Sequence, residues 1–127
     1  MTPGEIHNTK RQNFITKSRL YFDYLQTEFH FNGPTYSYYK QPNGSVITDT
    51  FEFDHSSNHL KISIKNAYHP ADYGFEIKVT DLRSGMTDMI HYILKEDQDV
   101  DQTYLQRAAA VLRHWLRTWS GGEIDDK

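Results

Sequence analysis

The chain has 127 residues with 14 Lys plus Arg against 17 Asp plus Glu, a formal charge of −3 that speaks against a dedicated electrostatic nucleic-acid binder. Hydrophobic residues make up 37% and aromatic residues 14%, which is enough to bury a core over residues 1–127 as one domain and excludes a disordered body. There is no cysteine, so disulfides, thiolate metal sites and a cysteine nucleophile are excluded.

Neither a signal-peptide core after Met1 nor an apolar run of bilayer length is present in the sequence, and the chain reads as cytoplasmic and without a membrane partner. Residues 1–8 and 121–127 are polar and are expected to fray. From about Thr9 to His30, Phe14, Ile15, Tyr21, Phe22, Leu25 and Phe29 fall on one helical face. Thr9 and Gln12 have capping-box spacing, and Asn32-Gly33-Pro34 is a stop signal.

The period then changes to alternation. Thr35–Lys40 is rich in strand formers, Gln41-Pro42-Asn43-Gly44 is a turn, and Ile47, Phe51 and Phe53 share one face of the next segment. Leu60, Ile62 and Ile64 alternate with Lys61, Ser63 and Lys65. After a turn at His69-Pro70-Ala71-Asp72, Tyr73, Phe75, Ile77 and Val79 alternate with Glu76, Lys78 and Thr80. Short turns between consecutive strands imply an antiparallel meander.

Met86, Met89, Ile90, Ile93 and Leu94 show helical spacing, so a short helix is expected over 86–94, with a fifth strand as the alternative. A last helix is expected over about Asp101–Trp119, capped by Asp99 or Asp101, striped by Leu105, Ala108, Leu112, Trp115 and Trp119, and ended by Gly121. The expected class is therefore α+β: an antiparallel β-meander of about four strands packed by an N-terminal and a C-terminal α-helix, in the order α-β-β-β-β-(short α)-α.

Candidate chemistry is sparse. His55 and His59 lie beside Asp54 and flank one end of the third strand, whereas His69 follows its other end, so extended chain of roughly 30 Å separates them and they cannot share one ion. Asp97, Asp99 and Asp101 begin like a calcium loop, but Gln102 stands where that loop needs glycine and Ala108 where it needs its bidentate glutamate. No nucleophile elbow and no glycine-rich phosphate loop occurs in the sequence. No catalytic residue, metal ligand or cofactor is assigned.

The aromatic excess is more informative. Tyr36, Tyr38 and Tyr39 occupy both faces of the first strand, so at least one should be exposed, and tyrosine anchors protein interfaces. With the acids Glu96, Asp97 and Asp99 they form the candidate partner-binding set.

The chain also resembles a broad class of small bacterial α+β proteins that act as immunity partners of secreted toxins. The residues that carry the resemblance are Leu20-Tyr21-Phe22-Asp23-Tyr24-Leu25-Gln26-Thr27-Glu28-Phe29 closed by Phe31-Asn32-Gly33, the meander, and Tyr104-Leu105-Gln106-Arg107-Ala108-Ala109 through Leu112 and Trp115 to Gly121-Gly122-Glu123. It implies a protein that binds and blocks a partner protein, such as a basic toxin, without a cofactor. A small hydrolase or nucleic-acid-processing enzyme using the histidines, and a homodimeric structural protein, are the alternative readings.

Overall fold

The computed structural model describes residues 2–68 and 74–119. Helix α1 spans Pro3–Tyr21. It starts at Pro3 and not near Thr9 because Thr2 Oγ1 accepts the Glu5 amide at 3.1 Å while the Glu5 carboxylate accepts the Thr2 amide, with Pro3 preset for the first turn. Thr9 lies inside the helix and donates to the Glu5 carbonyl at 2.8 Å.

The single helix expected as far as His30 is broken at Phe22 and Asp23, and a short helix α2 follows at Tyr24–Thr27. Phe22, Tyr24, Leu25, Phe29 and Phe31 are all buried, a denser apolar set than one straight helical stripe can turn inward, and the break reorients it. The left-handed residue that closes α2 is His30, at φ 62°, so Asn32-Gly33-Pro34 is not the stop but the beginning of strand β1.

Strands β1 (Asn32–Lys40), β2 (Val46–His55), β3 (Leu60–Ala67), β4 (Gly74–Asp81) and β5 (Thr87–Leu94) form one antiparallel sheet in the order β1-β2-β3-β4-β5. The meander expected from the sequence is thus present with one strand more. The short helix expected over 86–94 is β5. Its pairing runs from Gly74 opposite Leu94 to Thr80 opposite Thr87, but Ile77 faces His91 and Lys78 faces Met89, which leaves Ile90 as an extra, bulged residue. That one-residue insertion breaks strict alternation, and the apolar spacing then imitates a helix.

One face of the sheet is roofed by α1 and by helix α3, Leu105–Thr118. Phe14, Phe51, Ile62, Ile64, Phe75, Ile77, Leu105 and Leu112 are fully buried between the layers. The expected inward rows of β3 and β4 hold for Leu60, Ile62, Ile64, Phe75, Ile77 and Val79, while Tyr73, the His69–Asp72 turn and the chain end from Gly121 lie outside the described residues. The opposite face carries ion pairs, Lys61 with Glu52 at 2.9 Å and Glu76 between Lys65 at 3.8 Å and Lys78 at 3.5 Å.

Helix α3 begins later than expected. Asp99 Oδ1 accepts the Thr103 amide at 2.9 Å, and Gln102 sits buried at φ 57°, so residues 99–104 form a turn before the helix. Trp115 and Trp119 stack with ring centroids 6.3 Å apart and are half-buried at the rim of the core. No helix of the described residues is long and apolar enough to cross a membrane.

Candidate functional site

The three tyrosines of β1 divide. Pairing with β2 puts Tyr36 opposite Phe51 and Tyr38 opposite Asp49, on the helix-facing side, and Tyr39 on the other. Tyr36 is tied into the structure: its hydroxyl donates to Asp49 Oδ1 at 2.5 Å, and burial together with that bond pushes it up to about 12. Tyr38 and Tyr39 are exposed.

Asp49 is the residue that sequence reasoning missed. It lies in the same row of β2 as Phe51 and Phe53 and is completely buried. Arg11 of α1 grips it with two bonds, Nε to Oδ2 at 3.0 Å and Nη2 to Oδ1 at 2.9 Å, and the Tyr68 hydroxyl donates to Oδ2 at 2.8 Å. The available signal was a carboxylate in phase with an apolar row, which demands a cation or several donors. A second network joins buried Asn66 and Gln102 at 3.2 Å, with Gln98 and the Tyr104 hydroxyl completing it. Both networks consist of partnered groups that fasten α1 and the 95–104 segment to the sheet. Neither presents an open nucleophile.

The histidines do not gather. His55 Nδ1 accepts the Asn58 amide at 3.2 Å and its ring meets Phe31 edge-on at 5.1 Å, which makes it a turn residue of the β2–β3 connection. His59 occupies the left-handed position of that turn, at φ 53°. His69 lies outside the described residues. Among the described residues no group of three or more His, Asp or Glu converges as a metal shell would require.

Two imidazoles nonetheless report on folding. Burial, followed by the nearby Arg107, lowers His91, and burial followed by His30 lowers His55. A depressed histidine is neutral in the folded state while the unfolded chain still takes up its proton near pH 6.5, so this stability is complete above that value and is lost as the pH falls below it. The melting temperature should therefore drop between neutral and mildly acidic pH, and His91→Gln should flatten part of that drop. A drop of unchanged size in the variant would remove His91 as its source.

The acids also divide. Glu96 and Asp97 lie exposed in a 3₁₀ turn, Lys95–Asp97, that leaves β5 directly. Against a desolvation penalty, hydrogen bonds from Thr103 hold the Asp99 carboxyl below the usual range, so this side chain is partly spent on capping. Since β1 and β5 are the two opposite edges of the sheet, four strand spacings or about 19 Å separate the tyrosine strand from the acidic segment. The sequence-derived candidates are thus not one patch.

What the acids adjoin instead is β5 itself. Among the described residues, eight large apolar side chains are exposed, and five of them, Leu82, Met86, Met89, Tyr92 and Leu94, belong to the β4–β5 hairpin. Met89, Tyr92 and Leu94 pair opposite Lys78, Glu76 and Gly74 and so share the face turned away from the helices. Tyr92 is 56% exposed and Met86 70%, values that no packing requirement explains. Reading 86–94 as a helix hid this tyrosine from the sequence analysis.

Compared with protein-family models, with curated proteins and with solved structures, the chain matches none.

Proposed function

We propose that this chain is a protein-binding module that engages a basic partner through the β4–β5 hairpin and its acidic exit, and acts by occupying that partner, as the immunity-type resemblance implies. The observation that supports this reading is the row of exposed Met89, Tyr92 and Leu94 along β5, with Met86 before its start and Glu96 and Asp97 just after its end. Apolar groups concentrated on one hairpin supply desolvation energy at an interface, and a large exposed ring anchors it. Flanking carboxylates steer a positively charged partner and select against acidic ones. Tyr38 and Tyr39, on the far edge, are the competing anchor.

The test is capture from extracts of the source cells, followed by titration of the purified partner. The expected partner is a protein of pI above about 9 whose affinity falls as salt is raised. Tyr92→Ala should cost about 2 kcal/mol of binding, as interface anchors do. Binding that survives Tyr92→Ala and Leu94→Ser but disappears with Tyr38→Ala would place recognition on β1 instead.

A further inference from the structure

We infer that the partner docks by adding an extended basic strand to the free edge of β5, seating one lysine or arginine in the cavity at the start of that strand. This rests on the protein-binding reading above and specifies its mode.

The sheet ends at β5, so among the described residues no strand pairs with the outer side of β5. Which backbone groups are free follows from Gly74. A Cβ at that position would lie 2.6 Å from the Ile93 carbonyl oxygen and 2.8 Å from the Lys95 amide nitrogen, so Ile93 and Lys95 direct their polar groups at β4. In an antiparallel ladder this direction alternates along the strand, which leaves the N–H and C=O of Tyr92 and Leu94 pointing out of the sheet. An incoming strand satisfies them, and its side chains on the outer face meet Met89, Tyr92 and Leu94.

The opposite edge is guarded. Strand β1 contains Pro34, which removes a donor, ends on Lys40, and carries register irregularities at both ends. Strand β5 has neither proline, glycine nor lysine, and its bulge at Ile90 is its one register irregularity.

Charge selects the occupant. At the start of β5 a cavity of about 140 Å³ is lined by Asp81, Asp88, Met86 and the stacked pair Trp115 and Trp119. Asp88 pairs opposite Val79 and so faces the helix side, where the cavity lies. Two carboxylates beside indole rings suit an alkyl stem ending in an ammonium or guanidinium group. Glu96 and Asp97 repeat the negative charge at the other end of the strand. A second copy of this chain fits poorly, because antiparallel pairing of two β5 edges brings the end carrying Asp88 toward the end of the other copy that carries Glu96 and Asp97, like charges facing like.

The experiment uses the full chain, labelled with ¹⁵N, and a short peptide alternating lysine with valine. A second peptide of the same sequence carries N-methyl groups on alternate residues, which keeps charge and side chains but removes the pairing edge. The expected result is slowed amide exchange at Tyr92 and Leu94 with the first peptide, an affinity loss of about tenfold or more with the N-methylated one, and a similar loss for Asp88→Asn with unchanged melting. Equal affinity for both peptides, protection at Tyr38 and Tyr39 instead, absence of peptide binding, or a β5-paired dimer in sedimentation each overturns strand addition. If the captured partner still depends on Tyr92 in such a case, the protein-binding reading stands and only its mode falls. If that dependence is also absent, both fall.

Discussion

Arg11→Met is expected to lower the unfolding free energy by about 3–5 kcal/mol, the usual cost of stripping one partner from a buried ion pair. The asymmetry of the pair sets the size of the effect. The Asp49 side chain is 0% exposed, whereas Arg11 keeps 21% of its side chain in solvent, so removing the cation strands an anion that cannot reach water. The tyrosine hydroxyls of Tyr36 and Tyr68 remain as donors but carry no charge. The same four side chains join α1, β1, β2 and the end of β3, so their loss loosens the seat of α1 on the sheet. Urea denaturation measures this directly. The double variant Arg11→Met with Asp49→Leu should recover most of the loss, because apolar groups of similar volume replace a buried pair at little net cost. A loss below about 1 kcal/mol in the single variant would show that the network does not hold the layers together.

Phe14→Ala should cost a comparable amount, about 3–5 kcal/mol, through lost burial and the cavity left behind. Phe14 is the α1 side chain at the centre of the interlayer space, completely buried, with Phe51 at 5.9 Å and Phe75 at 6.2 Å between ring centroids. Strands β2 and β4 meet this ring from either side of β3, so no single neighbour can move in to fill its place. Leu20→Ala on the same helix is the control: Leu20 is exposed, and its loss should change stability by less than about 0.5 kcal/mol. Thermal or urea melts of the two variants compare them. Equal effects would contradict the placement of the core under α1.

Where the polypeptide obeys a simple period, its structure was legible in advance. The alternation of Leu60, Ile62 and Ile64, and of Phe75, Ile77 and Val79, fixes which sides of β3 and β4 are buried, and the stripe of Leu105, Ala108, Leu112 and Leu116 does the same for α3. Legibility fails where one residue breaks the period. The bulge at Ile90 turns a strand pattern into an apparent helical one, and with it Tyr92 disappears as an exposed anchor. The start of α1 was missed for a different reason: its first turn carries no apolar stripe, and its signal is Pro3 with the reciprocal bonds of Thr2 and Glu5. Position 102 shows a third limit, since no periodic signal marks a buried glutamine in a left-handed turn.

The candidate site was legible in its chemistry and not in its location. Large aromatic rings together with acidic groups were expected, and both kinds are exposed, but Tyr38 and Glu96 stand on opposite sheet edges. Only strand order, which depends on long-range pairing, decides that Glu96 and Asp97 stand far from Tyr38 and Tyr39. Asp49 teaches the complementary lesson. An acid in the surface composition of the sequence turned out to be the most buried charge of the described residues, because its row of β2 faces the helices.

Hydrogen–deuterium exchange on the protein alone and bound to its captured partner tests the central claim most directly. The account predicts slowed exchange confined to residues 86–97, with the amides of Tyr92 and Leu94 changing most. Protection centred on residues 36–40, or on the outer faces of α1 and α3, would contradict it.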